Sequence, residues 1–430
     1  MSVNGADRHD TRLWHPFADM GSVRGAELVI DRGEDVWVWD THGRRYLDAT
    51  ASLWYANVGH GRREIAAAVA AQLKRLGAYS IFGDFANEPA LALADRLSAL
   101  APMRRARVFL TSGGGDGIDT AVKLVRRYWA EQGSPDRTHI LSRIGGYHGT
   151  HGYGTAIGGV EANRVGWGPL DPDTSSVAHD SLPALRQALE RRGPERVAAV
   201  FVEPVIGAGG VLPPPPGYLE GVAALCRETG VLLVVDAVIC GFGRLGTWFG
   251  IERWNVQPDL IVFAKGVTSG YQPLGGVLVS CAVAAPFWAH PGAPVLRHGP
   301  TYAGHPAACA AALVNLDILE GGLLARGREL EHELAAALAP LADHPLVHEV
   351  RAGVGLMAAI ELDAAVLTTD PAAVVRAALA ARRRGVLVRP LGNSLAVSPP
   401  LTATPEHFEL ITGALSWALD EVGVEFWARA

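Results

Sequence analysis

Three short runs of this chain are apolar at every position: Val197–Val202, Val231–Val235 and Leu260–Phe263. A fourth run, Gly276–Ser280, follows closely. A strand with one wet face alternates apolar and polar residues, whereas a strand apolar throughout is covered on both faces. The segments between these runs have helical character, and strands alternating with helices predict a mostly parallel sheet sandwiched between helices. Val108–Leu110 adds a short strand, and a helix is predicted from about Asp116 to Trp129.

The flanks read differently. Val36–Trp39, the turn Thr41-His42-Gly43 and Tyr46–Asp48 predict a hairpin. Ala-rich Ile65–Leu76 and Leu323–Leu338 predict amphipathic helices. From about residue 319 the chain turns into charged, Ala-rich helices, and a second lobe with strands at Val354–Glu361 and Val386–Val388 closes it. The expected architecture is an α/β fold with a large domain and a smaller α/β domain built from both chain ends. Residues 1–60 contribute to the small domain, 61–318 form the large one, and 319–430 complete the small one. Pro213–Pro216 is a stiff connector.

Composition narrows the class of function. At 49% hydrophobic and 19% charged, the chain can bury a sizeable core and is neither disordered nor fibrous. The net charge of −6 argues against a nucleic-acid partner. The densest basic run, Arg382–Arg384, ends an Ala-rich helix, where cations complement the helix dipole. The four cysteines, Cys226, Cys240, Cys281 and Cys309, lack metal-ligand spacing, so no metal is expected and free, mostly buried thiols are. The N-terminus lacks an apolar leader core, and no apolar run reaches the length of a membrane span. A cytoplasmic location and no membrane contact are the expectations.

In open α/β sheets, ligands bind beyond the carboxyl ends of the strands. Asp236 ends the apolar run Val231–Val235, as a loop cap or as a functional acid. Lys265 follows Leu260–Ala264, and an ammonium there either snorkels outward or serves chemistry that exploits its desolvation. Thr111-Ser-Gly-Gly-Gly-Asp-Gly117 lies between a strand and a helix, as a flexible turn or as a phosphate cradle made of free backbone N–H groups. Tyr147-His148 sits between glycines, as core packing or as a stacking platform. Taken together, cradle, stacker, acid and lysine meet the demands of pyridoxal phosphate. Its phosphate needs amides, its ring a stacking face, its pyridine nitrogen a carboxylate and its aldehyde an amine.

The chain resembles the class III (ω-amino acid type) aminotransferases of fold type I. The resemblance runs from Trp14-His-Pro-Phe17 to Val397-Ser-Pro-Pro-Leu401. It is carried by Phe201–Gly210, Asp236–Arg244, Pro258-Asp-Leu260, Ala264-Lys-Gly266, Pro273-Leu-Gly-Gly276 and Thr301-Tyr-Ala-Gly-His-Pro306. It implies that Lys265 forms a Schiff base with the cofactor and shuttles the proton, and that Asp236 pairs with the pyridinium. By the same token Val238 packs behind the ring, Tyr147 stacks on its other face with His148 nearby, and Glu203 is an acid close to the cofactor. Gly114 and Gly115 would hold the phosphate. Thr301 would reach the phosphate of a neighbouring subunit, implying a homodimer with a shared active site and possibly a tetramer.

The substrate end is similar to the ω-transaminase branch. Leu53 and Trp54 match a pocket-lining segment, and Arg389 falls where that branch carries a mobile arginine for a substrate carboxylate; a surface arginine beside a turn is the other reading. The reaction implied moves an amino group from an amine or ω-amino acid to a keto acid such as pyruvate, in ping-pong fashion. Racemisation, aminomutase and decarboxylating transamination on the same scaffold are the alternatives, with a non-catalytic cofactor binder behind them. The chain departs from the family at Ala237, where an acid is usual, at Gly113–Gly117, where a loop hydroxyl is lost, and at Pro300, where Phe is frequent.

Overall fold

The computed structural model describes residues 11–427. Residues 1–10, which open the segment read above for a leader, lie outside the described residues. Among the described residues, fifteen strands form three sheets. The central one joins β4 (Arg107–Thr111), β5 (His139–Arg143), β6 (Thr174–Val177), β7 (Val197–Val202), β8 (Leu232–Asp236), β9 (Leu260–Phe263) and β10 (Gly275–Val279) in the order β4-β10-β9-β8-β7-β5-β6. The pairings along β9-β8-β7-β5-β6 are parallel, whereas β10 is antiparallel to both β4 and β9. The sheet is thus mostly parallel, as expected, with the Gly276 run as its reversed strand. Every residue of β7, β8, β9 and β10 is buried, which is what unbroken apolar runs demand.

Both chain ends build the remaining sheets. β1 (Ile30–Glu34), β2 (Trp37–Asp40) and β3 (Arg45–Asp48) form an antiparallel meander, and β13 (Val386–Leu387) from the far end of the chain pairs in parallel with β3. The last sheet is antiparallel, with β11 (Val347–Arg351), β12 (Ala358–Leu362), β15 (Ser394–Val397) and β14 (Arg389–Leu391) in that order.

Several expectations need correction. The strand placed at Val354–Glu361 occupies only Ala358–Leu362, because Gly353 and Gly355 adopt positive φ and turn the chain before it. The helix placed over Leu323–Leu338 is broken into Arg326–Glu329 and Glu331–Leu338 after an irregular turn at Leu319–Leu323, where Gly322 has a φ of 137°. The helical stretch Pro306–Leu323 is long and apolar enough to span a membrane, with a mean hydropathy of 1.2, contrary to the expectation of no such run; half of it is buried inside the fold. Its helix, Pro306–Ile318, lies against the helices Arg63–Arg75 and Glu88–Leu100, a core position that explains its apolarity.

Candidate active site

The carboxyl ends of β4, β8 and β9 deliver three of the predicted groups to one place. After β4, Gly113 is extended and the helix Gly114–Glu131 begins at once. The N–H of Gly117 already bonds Gly113 O at 3.1 Å, so the orphan N–H groups of the first turn are those before it. Gly114 is closely overlaid: a Cβ there would stand 3.0 Å from Val238 Cγ1. These free amides at a helix start suit an anion.

Asp236 ends β8 with its side chain fixed on both oxygens. Oδ1 accepts the N–H of Val238 at 3.1 Å, and Oδ2 lies 2.8 Å from His148 Nδ1. Both residues are buried, and the His148 ring meets Phe201 edge-on at 6.1 Å. Glu203, just past β7, is 3% exposed and accepts N–H groups from Tyr147 at 3.0 Å and Gly207 at 3.0 Å. Burial pushes its carboxyl up, against the pull of His148, and its two oxygens fix the Tyr147 and Gly207 segments.

Lys265 follows β9 at a φ of 50°, a conformation costly for a residue with a Cβ. Burial lowers its amine below the ordinary lysine range, while the Asp236 and Glu203 carboxylates pull the other way. The carbonyls of Gly266 and Val267 accept bonds from Asn315 Nδ2 at 2.8 and 3.0 Å, which pins the turn that aims the lysine.

Gly114, Gly115, Tyr147, His148, Glu203, Asp236, Val238 and Lys265 line one cavity of about 200 Å³. Four other predicted residues lie outside that lining. Arg389, on β14, is partly buried, and its charge is felt at both Tyr147 and Lys265. Trp54 is 2% exposed, in an apolar cluster with Val205 and Ile239, and Leu53 beside it is 47% exposed. Thr301 is exposed in a turn. Sequence reasoning missed Ile118, Thr150, His151 and Ile239 in the lining, and Asn315 behind Lys265. His151 had a local signal, standing two residues past the Gly146–Gly149 motif; Asn315 had none, because a single amide inside an apolar helix declares no partner.

The profile described as aminotransferase class III matches residues 20–419. The chain belongs to the class III aminotransferases. It is 36% identical to the putrescine–pyruvate aminotransferase of Pseudomonas aeruginosa over 92% of each chain. It is 34% identical to the β-alanine–pyruvate aminotransferase of the same organism over 95% of each. Among solved structures, an amine transaminase from an uncultivated Pseudomonas species, determined with pyridoxal phosphate bound, superposes with a TM-score of 0.92 at 38% identity, covering 97% of this chain and all of that one. An (S)-enantioselective ω-transaminase from Thermomicrobium roseum gives 0.90 at 39% identity, covering 95% and 96%.

This class III aminotransferase is therefore a pyridoxal-phosphate enzyme. The donor set fits the cofactor: free amides under a glycine cradle, a carboxylate oriented by an imidazole, and a desolvated amine face one cavity. Among the described residues there is no metal-ligating cluster.

Proposed function

We propose that the enzyme moves the amino group of an amine or ω-amino acid to a keto acid such as pyruvate. The observation that carries the site assignment is the convergence of Lys265, the His148–Asp236 pair and the Gly114–Gly115 cradle on one cavity. The substrate class is supported by the relatives named for putrescine, β-alanine and pyruvate.

Bound pyridoxal phosphate supplies the aldehyde that takes up the amino group and a ring that absorbs the electron pair left at the substrate carbon. Lys265 is the residue whose Nζ would hold the cofactor's aldehyde, and its place in the cavity lining puts the amine where a substrate amine would enter. The freed Nζ then takes the proton from the substrate carbon and returns it one position away, as general base and general acid in turn. Its lowered basicity suits both halves of that task. Asp236 would hold the proton of the pyridine nitrogen, its carboxylate fixed by the N–H of Val238 on Oδ1 and by His148 Nδ1 at Oδ2. Val238 and Tyr147 would clasp the ring from opposite faces, and the backbone of Gly114 and Gly115 would hold the phosphate. Glu203 holds Tyr147 in place through its backbone. Arg389 binds a substrate carboxylate and withdraws for an apolar group, with Leu53 and Trp54 shaping that end of the pocket.

The assembly we propose is a homodimer, in which the exposed Thr301 turn reaches a partner's phosphate. Exposed Tyr79, Phe82, Phe85 and Tyr302 supply apolar surface for it. Four free cysteines fit a reducing, cytoplasmic setting.

The test is spectroscopic. The visible band of the protein–cofactor complex should bleach on adding putrescine or β-alanine and return on adding pyruvate; a band untouched by any amine donor would remove transamination. Lys265→Ala should lose the lysine-linked band, and an unchanged spectrum would deny that residue its role.

A further inference from the structure

The first turn of the helix Gly114–Glu131 offers an anion backbone N–H groups and little else. Gly113, Gly114 and Gly115 carry no side-chain donor. Asp116, the next residue, is a carboxylate whose Oδ2 accepts the N–H of Ser112 at 3.1 Å. A phosphate over this cradle therefore meets a like charge one residue away, with only amides and the helix dipole to oppose it.

His151 fills the gap. It lies outside that helix, at the N-cap position of the short helix Gly152–Ile157, where its carbonyl accepts the N–H of Thr155 at 2.8 Å. A Cβ placed on Gly115 would stand 3.2 Å from each of Nδ1, Cε1 and Nε2 of the His151 ring. The nitrogen-bearing edge of the imidazole thus occupies the space above Gly115, and any side chain at 115 would press on it. The ring lines the same cavity as Gly114, Gly115 and Lys265. Nδ1 lies 3.4 Å from Asp116 Oδ1, and the ring is about half exposed at the mouth of the cavity.

We propose that His151 is the side-chain donor to the cofactor phosphate, taking over the contact that the loop's missing hydroxyl would have made. The ring places nitrogen atoms over a cradle that has no side-chain donor of its own, and a ring N–H there can bond a phosphate oxygen. Gly115 is then a glycine for two reasons: the phosphate needs its amide, and His151 needs its space. The inference rests on the reading that the phosphate sits at Gly114 and Gly115.

The test compares two ligands that differ only by the phosphate group. Apoprotein is titrated with pyridoxal phosphate and with pyridoxal, for the wild type and for His151→Ala. The expected result is about a tenfold or greater loss of affinity for pyridoxal phosphate in the variant, the size of one charged hydrogen bond, with pyridoxal affinity unchanged. Inorganic phosphate should also compete less well for the variant. Full retention of pyridoxal phosphate affinity would overturn the proposal. So would an equal loss for both ligands, because a structural defect does not distinguish them. If the wild type itself binds pyridoxal as tightly as pyridoxal phosphate, it is the phosphate cradle that fails, and the inference falls with it.

Discussion

Lys265 bears two costs before any cofactor arrives. Its φ of 50° is strained, and its ammonium is drawn out of water, which lowers its affinity for a proton. The unfolded chain keeps that proton up to the ordinary lysine value of 10.5, whereas the folded chain releases it at lower pH. Between the two values the unfolded state binds more protons, so stability rises with pH there, and below that window the full cost is present. Lys265→Met keeps the backbone strain but removes the charge. The apoprotein of that variant should melt a few degrees above wild-type apoprotein at pH 7, with the gap closing as pH approaches 10.5. A lower melting temperature at pH 7 would show that Asp236 and Glu203 more than compensate the buried ammonium. Arg389 sets a second prediction at this scale. Its charge is felt at Tyr147 and Lys265, so Arg389→Ala should lower kcat/KM for amino acid donors by about tenfold to a hundredfold and spare simple amines. Parallel losses for both donor classes would exclude a carboxylate-binding role.

At the scale of elements, the breaks in the predicted Leu323–Leu338 helix have a use. Gly327 stands where a Cβ would come within 1.9 Å of Gly243 O, so the short helix Arg326–Glu329 lies directly on the loop that follows Asp236. Gly327→Ala should destabilise by about 1–3 kcal/mol through overpacking. By contrast, Gly413 is exposed in the helix Pro405–Trp427 with nothing within 4 Å of its Cβ position. Gly413→Ala should stabilise by roughly 0.5–1 kcal/mol, and thermal melts of the two variants check both signs. The same elements show how far a sequence reading reaches. β7, β8 and β9 were legible because burial on both faces leaves an unbroken apolar signature. β5 and β6 were not, since His139, Ser142 and Arg143, and Thr174, Ser175 and Ser176, are polar residues whose bonds become visible only once the strands pair. In the site, the strand-end groups Asp236 and Lys265 announced themselves by being charged after apolar runs. His151 and Asn315 did not, because their significance is a contact with a residue far along the chain or across a turn.

At the scale of the molecule, one arginine ties segments far apart in the chain together. Arg244 is fully buried; NH1 donates to Leu356 O at 2.8 Å and Pro399 O at 2.6 Å, and NH2 to Asn57 Oδ1 at 2.9 Å. Burial lowers its affinity for a proton to about 10, which still leaves it charged at neutral pH. It thus joins the loop after β8 to both ends of the chain. Arg244→Ala strands three buried acceptors and opens a cavity, and should cost about 3 kcal/mol or more. Limited proteolysis should then cut within residues 320–430 first; resistance equal to wild type would show that the C-terminal segment holds its place without it.

The order of the central sheet bears on how the enzyme comes into being. β4, which leads into the Gly113–Gly115 turn proposed to hold the phosphate, pairs with β10 and with no strand made before it. A ribosome that has released the cradle at residues 113–115 must therefore still deliver β8, Lys265 after β9, and β10 before the cradle strand finds its place. If Gly113–Gly115 hold the phosphate as proposed, the cradle strand cannot be seated until β10 is made, and cofactor loading would follow the closure of that sheet.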